Sequence, residues 1–344
     1  MPFFTSFSGK ILSAPGLKLG SRLFQFAKTL SSNVQEYNLR NDLLANGWDG
    51  VTPVDAQITV NSGVYVWSDN ISTAAFTTGS LVADSVISII NNGYIIGKGG
   101  HSDSYNGAFN TSTITSVQSG GPAINLNYPV SITNNSYIAG GGGGGRSVWD
   151  NTYNYAFRGG GGGAGGGNGG YVLESGQGPY NIAPPAGWNT TMHPGYGGAV
   201  GATGTYGGGI SHYYFSFWIG GGGGGRILPG TGGIGTRNMT WYLSGGYDIF
   251  NSGFAQGGGA GGGAANGYPI NNPPNGADGG SANNPGGTGI ANNSTAGAGG
   301  GGGWGASGGS SSSGLSGGGG GKCVNLNGNS VTWLATGNRY GAIS

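Results

Sequence analysis

Tyr137-Ile138-Ala139-Gly140-Gly141-Gly142-Gly143-Gly144-Gly145-Arg146 is the stretch whose reading decides the fold. A short apolar strand pattern runs without a break into six glycines. Comparable runs stand at Gly159 to Gly163, Gly220 to Gly225, Gly299 to Gly303 and Gly317 to Gly321, with looser ones around Gly197 to Gly209 and Gly257 to Gly263. The chain holds 85 glycines and 14 prolines in 344 residues, a composition that by default denotes low complexity. Disordered chains pair such a composition with high net charge and few aromatics. Here the net charge is +1, only 7% of residues are charged and 11% are aromatic. Such a chain is poorly solvated when open, which favours a packed glycine architecture.

Glycine has no Cβ, so its backbone can be approached from every side. Collagen needs glycine at every third position because one face of each strand meets the axis. Uninterrupted glycine clears all three faces of a polyproline-II helix, whose N–H and C=O groups are free to bond neighbouring chains. Six residues at ~3.1 Å each span roughly 19 Å, so runs of equal length can stack into a brick. If they run up and down, the intervening segments emerge at the two ends. Simple alternation places 146–158, 210–219 and 264–278 at one of them. Loops held together on a rigid scaffold form a recognition surface.

The preceding sequence reads as a stem. Ile87-Ser88-Ile89-Ile90-Asn91-Asn92-Gly93-Tyr94-Ile95-Ile96-Gly97 recurs as Val130-Ser131-Ile132-Thr133-Asn134-Asn135-Ser136-Tyr137-Ile138-Ala139-Gly140, and Ile58 to Val66 is a weaker copy. Repeated short strands with Asn-Gly corners predict stacked rungs of a parallel β-solenoid over 51–139. Before it, Leu23, Phe26, Ala27, Leu30, Val34 and Tyr37 fall at helical steps, with capping-box patterns at Ser32 to Gln35 and Asn33 to Glu36. A second helix is expected from about Asn33 to Asn46, closed by Gly47 in the left-handed conformation. Residues 1–50 are thus expected to be an N-terminal anchor and helical attachment region, 140–321 a polyglycine-II sandwich, and 322–344 a closing hairpin around Asn327-Gly328. The fold class is mainly β and irregular, with a short N-terminal helical segment, a β-solenoid-like stem, and a polyglycine-II helix sandwich with protruding loops.

The chemistry-bearing residues are sparse. His101, His193 and His212 are far apart, and the acids after Asp150 are Glu174, Asp248 and Asp278. A glycan hydrolase would want paired carboxylates. Gly321-Lys322 is followed by Cys323 where a phosphate loop needs Ser or Thr. One cysteine excludes an internal disulfide framework and a cysteine-based metal cluster. No pattern calls for a cofactor or a metal, near-neutral charge argues against nucleic acid, and no stretch approaches a membrane span. Met1 to Gly20 lacks the apolar core of a signal peptide.

The positive signal is aromatic. Trp149, Tyr153, Tyr155 and Phe157 sit in one insert, Tyr213, Tyr214, Phe215, Phe217 and Trp218 in a second, and Trp241, Tyr242, Tyr247 and Phe250 in a third. They either fold over the glycine brick as its core or stand out as anchors for a protein loop or a sugar face, where Tyr and Trp supply contact area cheaply. Both roles are compatible.

Glycine runs separated by unrelated segments resemble the receptor-recognising adhesins at the distal end of the tail fibres of T-even-type bacteriophages. The resemblance covers about 140–321. Asn46-Gly47-Trp48-Asp49-Gly50-Val51-Thr52-Pro53 and the ending Ser330 to Ser344 also look like phage tail-fibre and tail-tip sequences. The resemblance implies a non-enzymatic virion protein whose intervening segments bind a host outer-membrane protein or surface glycan. It also implies mounting on other tail-fibre proteins, expected through residues 1–50. A decorative head or neck fibre and a surface-polysaccharide hydrolase are the alternative readings.

Overall fold

The computed structural model describes residues 23–103, 116–147, 159–170, 196–202, 204, 223–226, 284–285, 298–311 and 313–344, and the backbone course of the strands at 105–106, 113–114, 148–150, 156–158, 209–212, 216–219, 237–243 and 246–252. It is mainly β, with one short helix among the described residues.

The chain begins with β1 (Phe24–Leu30), β2 (Val34–Gln35) and β3 (Tyr37–Asn38), followed by α1 (Leu39–Ala45). Then come β4 (Val54–Val60), β5 (Tyr65–Trp67), β6 (Phe76–Thr77), β7 (Val86–Asn91) and β8 (Tyr94–Ile96). A small antiparallel pair, β9 (Tyr105–Asn106) and β10 (Thr113–Ile114), precedes β11 (Ile124–Asn125), β12 (Val130–Asn134) and β13 (Tyr137–Ala139). β14 (Val148–Asp150), β15 (Ala156–Arg158), β16 (Gly209–His212), β17 (Ser216–Ile219), β18 (Arg237–Leu243) and β19 (Gly246–Ser252) follow. β20 (Val324–Asn325), β21 (Val331–Ala335) and β22 (Asn338–Tyr340) end it.

Three parallel sheets are built from these strands, in the orders β1-β4-β7-β12-β21, β2-β5-β8-β13-β22 and β3-β6-β11-β20. The sequence repeats stack in register: Ile58 pairs with Ile89 and Ile89 with Ile132, while Tyr65, Tyr94 and Tyr137 follow one another in the second sheet. Ile58, Ile89 and Ile132 are wholly buried, each contributing about 1.5–3 kcal/mol relative to exposure. At the corner, buried Asn91 donates to Asn134 Oδ1 at 2.8 Å, and Asn134 donates on to the carbonyls of Thr336 and Asn338. This ladder satisfies turn backbone that the rungs enclose.

Two expectations are corrected. Residues 24–30 are a strand, because Phe24, Phe26 and Leu30 also alternate with period two and seven registered pairs with β4 decide between the periods. The helix is confined to Leu39–Ala45, with Asn38 as its cap, accepting from the Asn41 N–H at 3.1 Å; Gly47 follows at φ +92°, as expected. Residues 24–38 therefore supply β1, β2 and β3, an edge strand of each of the three parallel sheets. Residues 322–344 do not pair as a hairpin: β20, β21 and β22 each join a different sheet, parallel to β11, β12 and β13. The last rung thus comes from the far end of the chain.

The glycine unit is an outgrowth of two rungs. After β8 the chain leaves the stack and returns as β11; after β13 it leaves at the same corner and returns as β20. Residues 97–103 and 116–121, expected in the stem, accordingly pack among the glycine segments. The run Gly140–Gly145 lies in the middle. Its N–H groups address three neighbours in rotation: Gly141 and Gly144 donate to Gly121 and Gln118, Gly142 and Gly145 to Ala164 and Gly161, and Gly143 and Arg146 to Ala306 and Gly309, all at 2.7–3.0 Å. Its carbonyls address three others: Gly140 and Gly143 accept from Gly305 and Gly302, Gly141 and Gly144 from Gly321 and Gly318, and Gly142 and Gly145 from Gly100 N–H and Ser102 Oγ. Partners recur every third residue. A Cβ placed on Gly141 through Gly145 would lie within 3.0 Å of carbonyl oxygens of Lys98, Gly302, Gly318, His101 and Gly299 in turn. Only hydrogen fits there, and each such Cα–H contact adds about 0.5–1 kcal/mol.

Two of the runs turn back on themselves. Gly159–Gly163 reverses at Ala164-Gly165-Gly166, where Gly165 and Gly166 have φ +98° and +82°, and residues 298–303 reverse at Trp304-Gly305-Ala306. Trp304 is wholly buried with Ile96, Ala139 and Ala164, against Tyr65, Tyr94, Tyr137 and Tyr340 of the second sheet. The glycine unit is seated on the stem through this indole.

Candidate functional site

The central run ends, away from the stem, in a buried polar cluster. Ser102 Oγ donates to the Gly145 carbonyl at 2.6 Å. The Ser147 N–H donates to Asp103 Oδ1 at 2.6 Å, Ser147 Oγ donates to the Asp103 carbonyl at 2.8 Å, and the Gly160 N–H donates to Ser147 Oγ at 2.9 Å. Arg146 Nε lies 3.2 Å from Asp103 Oδ2, and the Asp103 side chain is 2% exposed. β14 leaves this cluster and β15 returns to it. The cluster therefore sets the position and angle at which the first insert departs.

That insert joins the other two. β14-β15-β17-β16-β18-β19 form one six-stranded sheet made of three antiparallel hairpins. β15 pairs with β17, and β16 with β18, in parallel, so each hairpin is linked to the next. One row of partners crosses the whole sheet: Trp149, Phe157, Trp218, Ile210, Thr240 and Ile249.

A second polar constellation stands at the junction of stem and glycine unit. Asp69, on the link after β5, binds Lys98 Nζ at 2.7 Å and Arg226 Nη2, both through Oδ1. The Arg226 guanidinium lies over the Trp67 ring, 4.8 Å from its centroid, and its Nε donates to the Gly165 carbonyl at 3.0 Å. Burial opposes ionisation of Asp69, but the hydrogen bonds and charges of Lys98 and Arg226 outweigh it and hold the carboxyl at about 2. Burial lowers the Lys98 ammonium despite Asp69. Burial, with the charge of Lys98, also pushes His101 down to about 4; its Nδ1 accepts the Asn168 N–H at 2.7 Å, which the neutral ring alone can do. These groups line an open cleft of ≈ 940 Å³. Among the described residues no group of His, Cys, Asp and Glu could hold a metal ion.

A family model, phage tail fibre adhesin Gp38, matches residues 25–217, more than half of the chain. The chain belongs to the phage tail fibre adhesin Gp38 family. Its place is accordingly the virion, on the tail fibre of a bacteriophage. No curated protein matches it. Among solved structures it is similar to the gp37–gp38 adhesin tip complex of the bacteriophage S16 long tail fiber, at 18% identity and TM-score 0.46, covering 94% of this chain and 83% of that one. No helix among the described residues of the adhesin is long and apolar enough to cross a membrane.

Of the aromatic residues singled out in the adhesin's sequence, Trp149, Phe157 and Trp218 fall in the row that crosses the sheet. Phe217 pairs with Ser211, Trp241 with Asp248 and Tyr242 with Tyr247. Tyr153, Tyr155, Tyr213, Tyr214 and Phe215 lie outside the described residues, as do Gly220, Gly257, Gly263 and the segment 264–278. Gly140, Gly145, Gly159, Gly163, Gly299, Gly303, Gly317 and Gly321 all lie within the packed unit, as does Gly225. Sequence reasoning missed Ser102, Asp103 and Ser147, the base of the first hairpin, and the Asp69, Lys98 and Arg226 junction. The one available signal was the pair of short patterns Gly97-Lys98-Gly99-Gly100 and Ser119-Gly120-Gly121, which echo the long runs.

Proposed function

We propose that this adhesin binds a receptor on the bacterial surface, an outer-membrane protein or a surface glycan, through the inserts between its glycine segments, and performs no reaction on it. The observation that carries the reading is the six-stranded sheet: three inserts separated by glycine segments converge on one surface. Their aromatic positions, Trp149, Phe157, Phe217, Trp218, Trp241 and Tyr242 with the flanking Tyr153, Tyr155, Tyr213, Tyr214 and Phe215, are the anchors. Large rings on a rigid support give contact area at small entropic cost.

The support is a polyglycine-II sandwich on a β-solenoid stem. The three-residue recurrence of hydrogen-bond partners along Gly140–Arg146 favours the first, and the registered parallel rungs favour the second. Because both ends of the glycine unit are fixed by backbone bonds, insert sequences can change without loss of the frame. Attachment to other tail-fibre proteins belongs to the N-terminal residues 1–50, whose strands and helix begin the stem at the end opposite the last rung.

Replacing 210–219 with an unrelated hairpin of equal length tests the reading. Binding of the purified protein to host cells, followed by flow cytometry, is expected to fall to background while the melting temperature holds. Unchanged binding by the replaced protein refutes it.

A further inference from the structure

The cleft at the junction of stem and glycine unit is lined by residues in or beside β2, β5 and β8, by glycine segments, and by Tyr196, which ends the segment between Gly170 and Gly197. Its volume, ≈ 940 Å³, is in the range of small-ligand sites, about 300–1,000 Å³. The groups on its walls have a distinct chemical character. Asp69 is half exposed, and both of its cations bind Oδ1; among the described residues nothing donates to Oδ2. Lys98 and Arg226 stand behind it, their side chains 10% and 6% exposed.

Three amides complete the wall. Asn33 Oδ1 accepts the Tyr65 N–H at 2.9 Å and Asn168 Oδ1 accepts the Gly197 N–H at 2.8 Å. With their oxygens committed, these amides offer Nδ2 as donors. Gln35 is exposed and offers both a donor and an acceptor. Tyr196, 56% exposed, supplies an aromatic surface on the same cleft.

The geometry points to a second binding site in this cleft, for a neutral saccharide, with Asp69 accepting sugar hydroxyls, Asn33, Gln35 and Asn168 donating to ring and hydroxyl oxygens, and Tyr196 covering a sugar face. An acidic ligand meets the half-exposed carboxylate of Asp69 before it reaches the buried cations. A cationic ligand meets Lys98 and Arg226 immediately behind that carboxylate. A neutral polyol pairs with both the carboxylate and the amides at no charge penalty. The inference rests on the adhesin reading and gives it a second foothold on surface glycan, one whose lining residues lie outside the six-stranded sheet. Two linked weak sites raise overall avidity without new contacts at either.

The test is saturation-transfer NMR with the full chain against glucose, galactose, lactose and glucuronate. Transfer to the neutral sugars is expected, with affinity about tenfold weaker in Gln35→Ala and in Tyr196→Ala, the loss of one polar or stacking contact. Each substitution removes an exposed side chain, and an unchanged melting temperature shows that the fold is kept. Absence of transfer to any neutral sugar, equal transfer in the wild-type and both variants, or preference for glucuronate overturns the site. Purified lipopolysaccharide and purified capsular polysaccharide, used as competitors, tell which source supplies the sugar. Host-cell binding measured in parallel separates the two readings. Cell binding without a sugar signal removes the cleft and leaves the inserts, and a sugar signal without cell binding does the reverse.

Discussion

Gly142→Ala puts one methyl group at the centre of the glycine unit. Its Cβ would lie within 3.0 Å of Gly302 O, Gly302 C and Gly303 O, where ordinary contact is 3.4–4 Å. Neither partner is the flexible end of a side chain, so the 299–303 backbone must retreat by roughly an ångström. That retreat stretches the bonds from Gly302 N–H to Gly143 O and from Ala164 N–H to Gly302 O, now 2.8 and 2.9 Å. Two buried polar pairs left unmade cost about 1–3 kcal/mol each. Alanine returns about 0.4–1 kcal/mol by restricting the unfolded chain. The net loss is ~1–5 kcal/mol, a fall in melting temperature of about 1–8 °C for a chain of 344 residues. Gly319→Ala is the control within another run: its Cβ meets only Ser119 Oγ at 3.3 Å and Ser119 Cβ at 3.9 Å. It is expected to be neutral or to gain up to about 1 kcal/mol. Thermal and urea unfolding of both variants decides the matter. Equal shifts for the two alanines would falsify the packing argument, because their intrinsic backbone effects are the same.

Two further outcomes follow from the buried groups. His101 is held neutral in the folded protein down to about 4, whereas the unfolded chain takes up its proton near 6.5. Between those values the unfolded state binds more protons, so stability falls as the pH is lowered through this window, by up to about 3 kcal/mol at its lower end. Urea titrations from pH 7 to pH 4 should show a shallower slope for His101→Gln, and an unaltered slope contradicts the assignment. Cys323 is wholly buried and its thiol is pushed up to about 12 by burial. Its reaction with a thiol reagent at pH 8 is therefore expected only after unfolding. Prompt labelling of the native protein would place β20 outside the core.

The legibility of the chain followed from how local each constraint was. The stem was readable at β7, β8, β12 and β13 because two copies of one pattern announce a shared environment, and their register in the sheets is the register of the repeat. β1 was misread because Phe26, Ala27 and Leu30 satisfy helical spacing while Phe24, Phe26 and Leu30 satisfy alternation, and only the neighbouring β4 chooses. β20 to β22 were misread for a similar reason: Asn327-Gly328 is a turn signal in either arrangement. The inserts were recognisable as departures from glycine, but nothing in their sequences indicated that they would share one sheet.

Composition and spacing by themselves determined that glycine segments pack on one another, since a residue without a side chain can be buried only against backbone. They also determined that the intervening segments stand apart from that packing. Tertiary structure alone decided where the glycine unit is attached. It grows from the same corner of two successive rungs, recruits 97–103 and 116–121, and returns the chain to close the stem with β20 to β22. Asp103 holds Ser147, and Asp69 holds Lys98 and Arg226, across separations that no local pattern encodes. Backbone hydrogen bonds carry no sequence signature, so glycine specifies that neighbours must be close while the stem and its corners specify which neighbours they are.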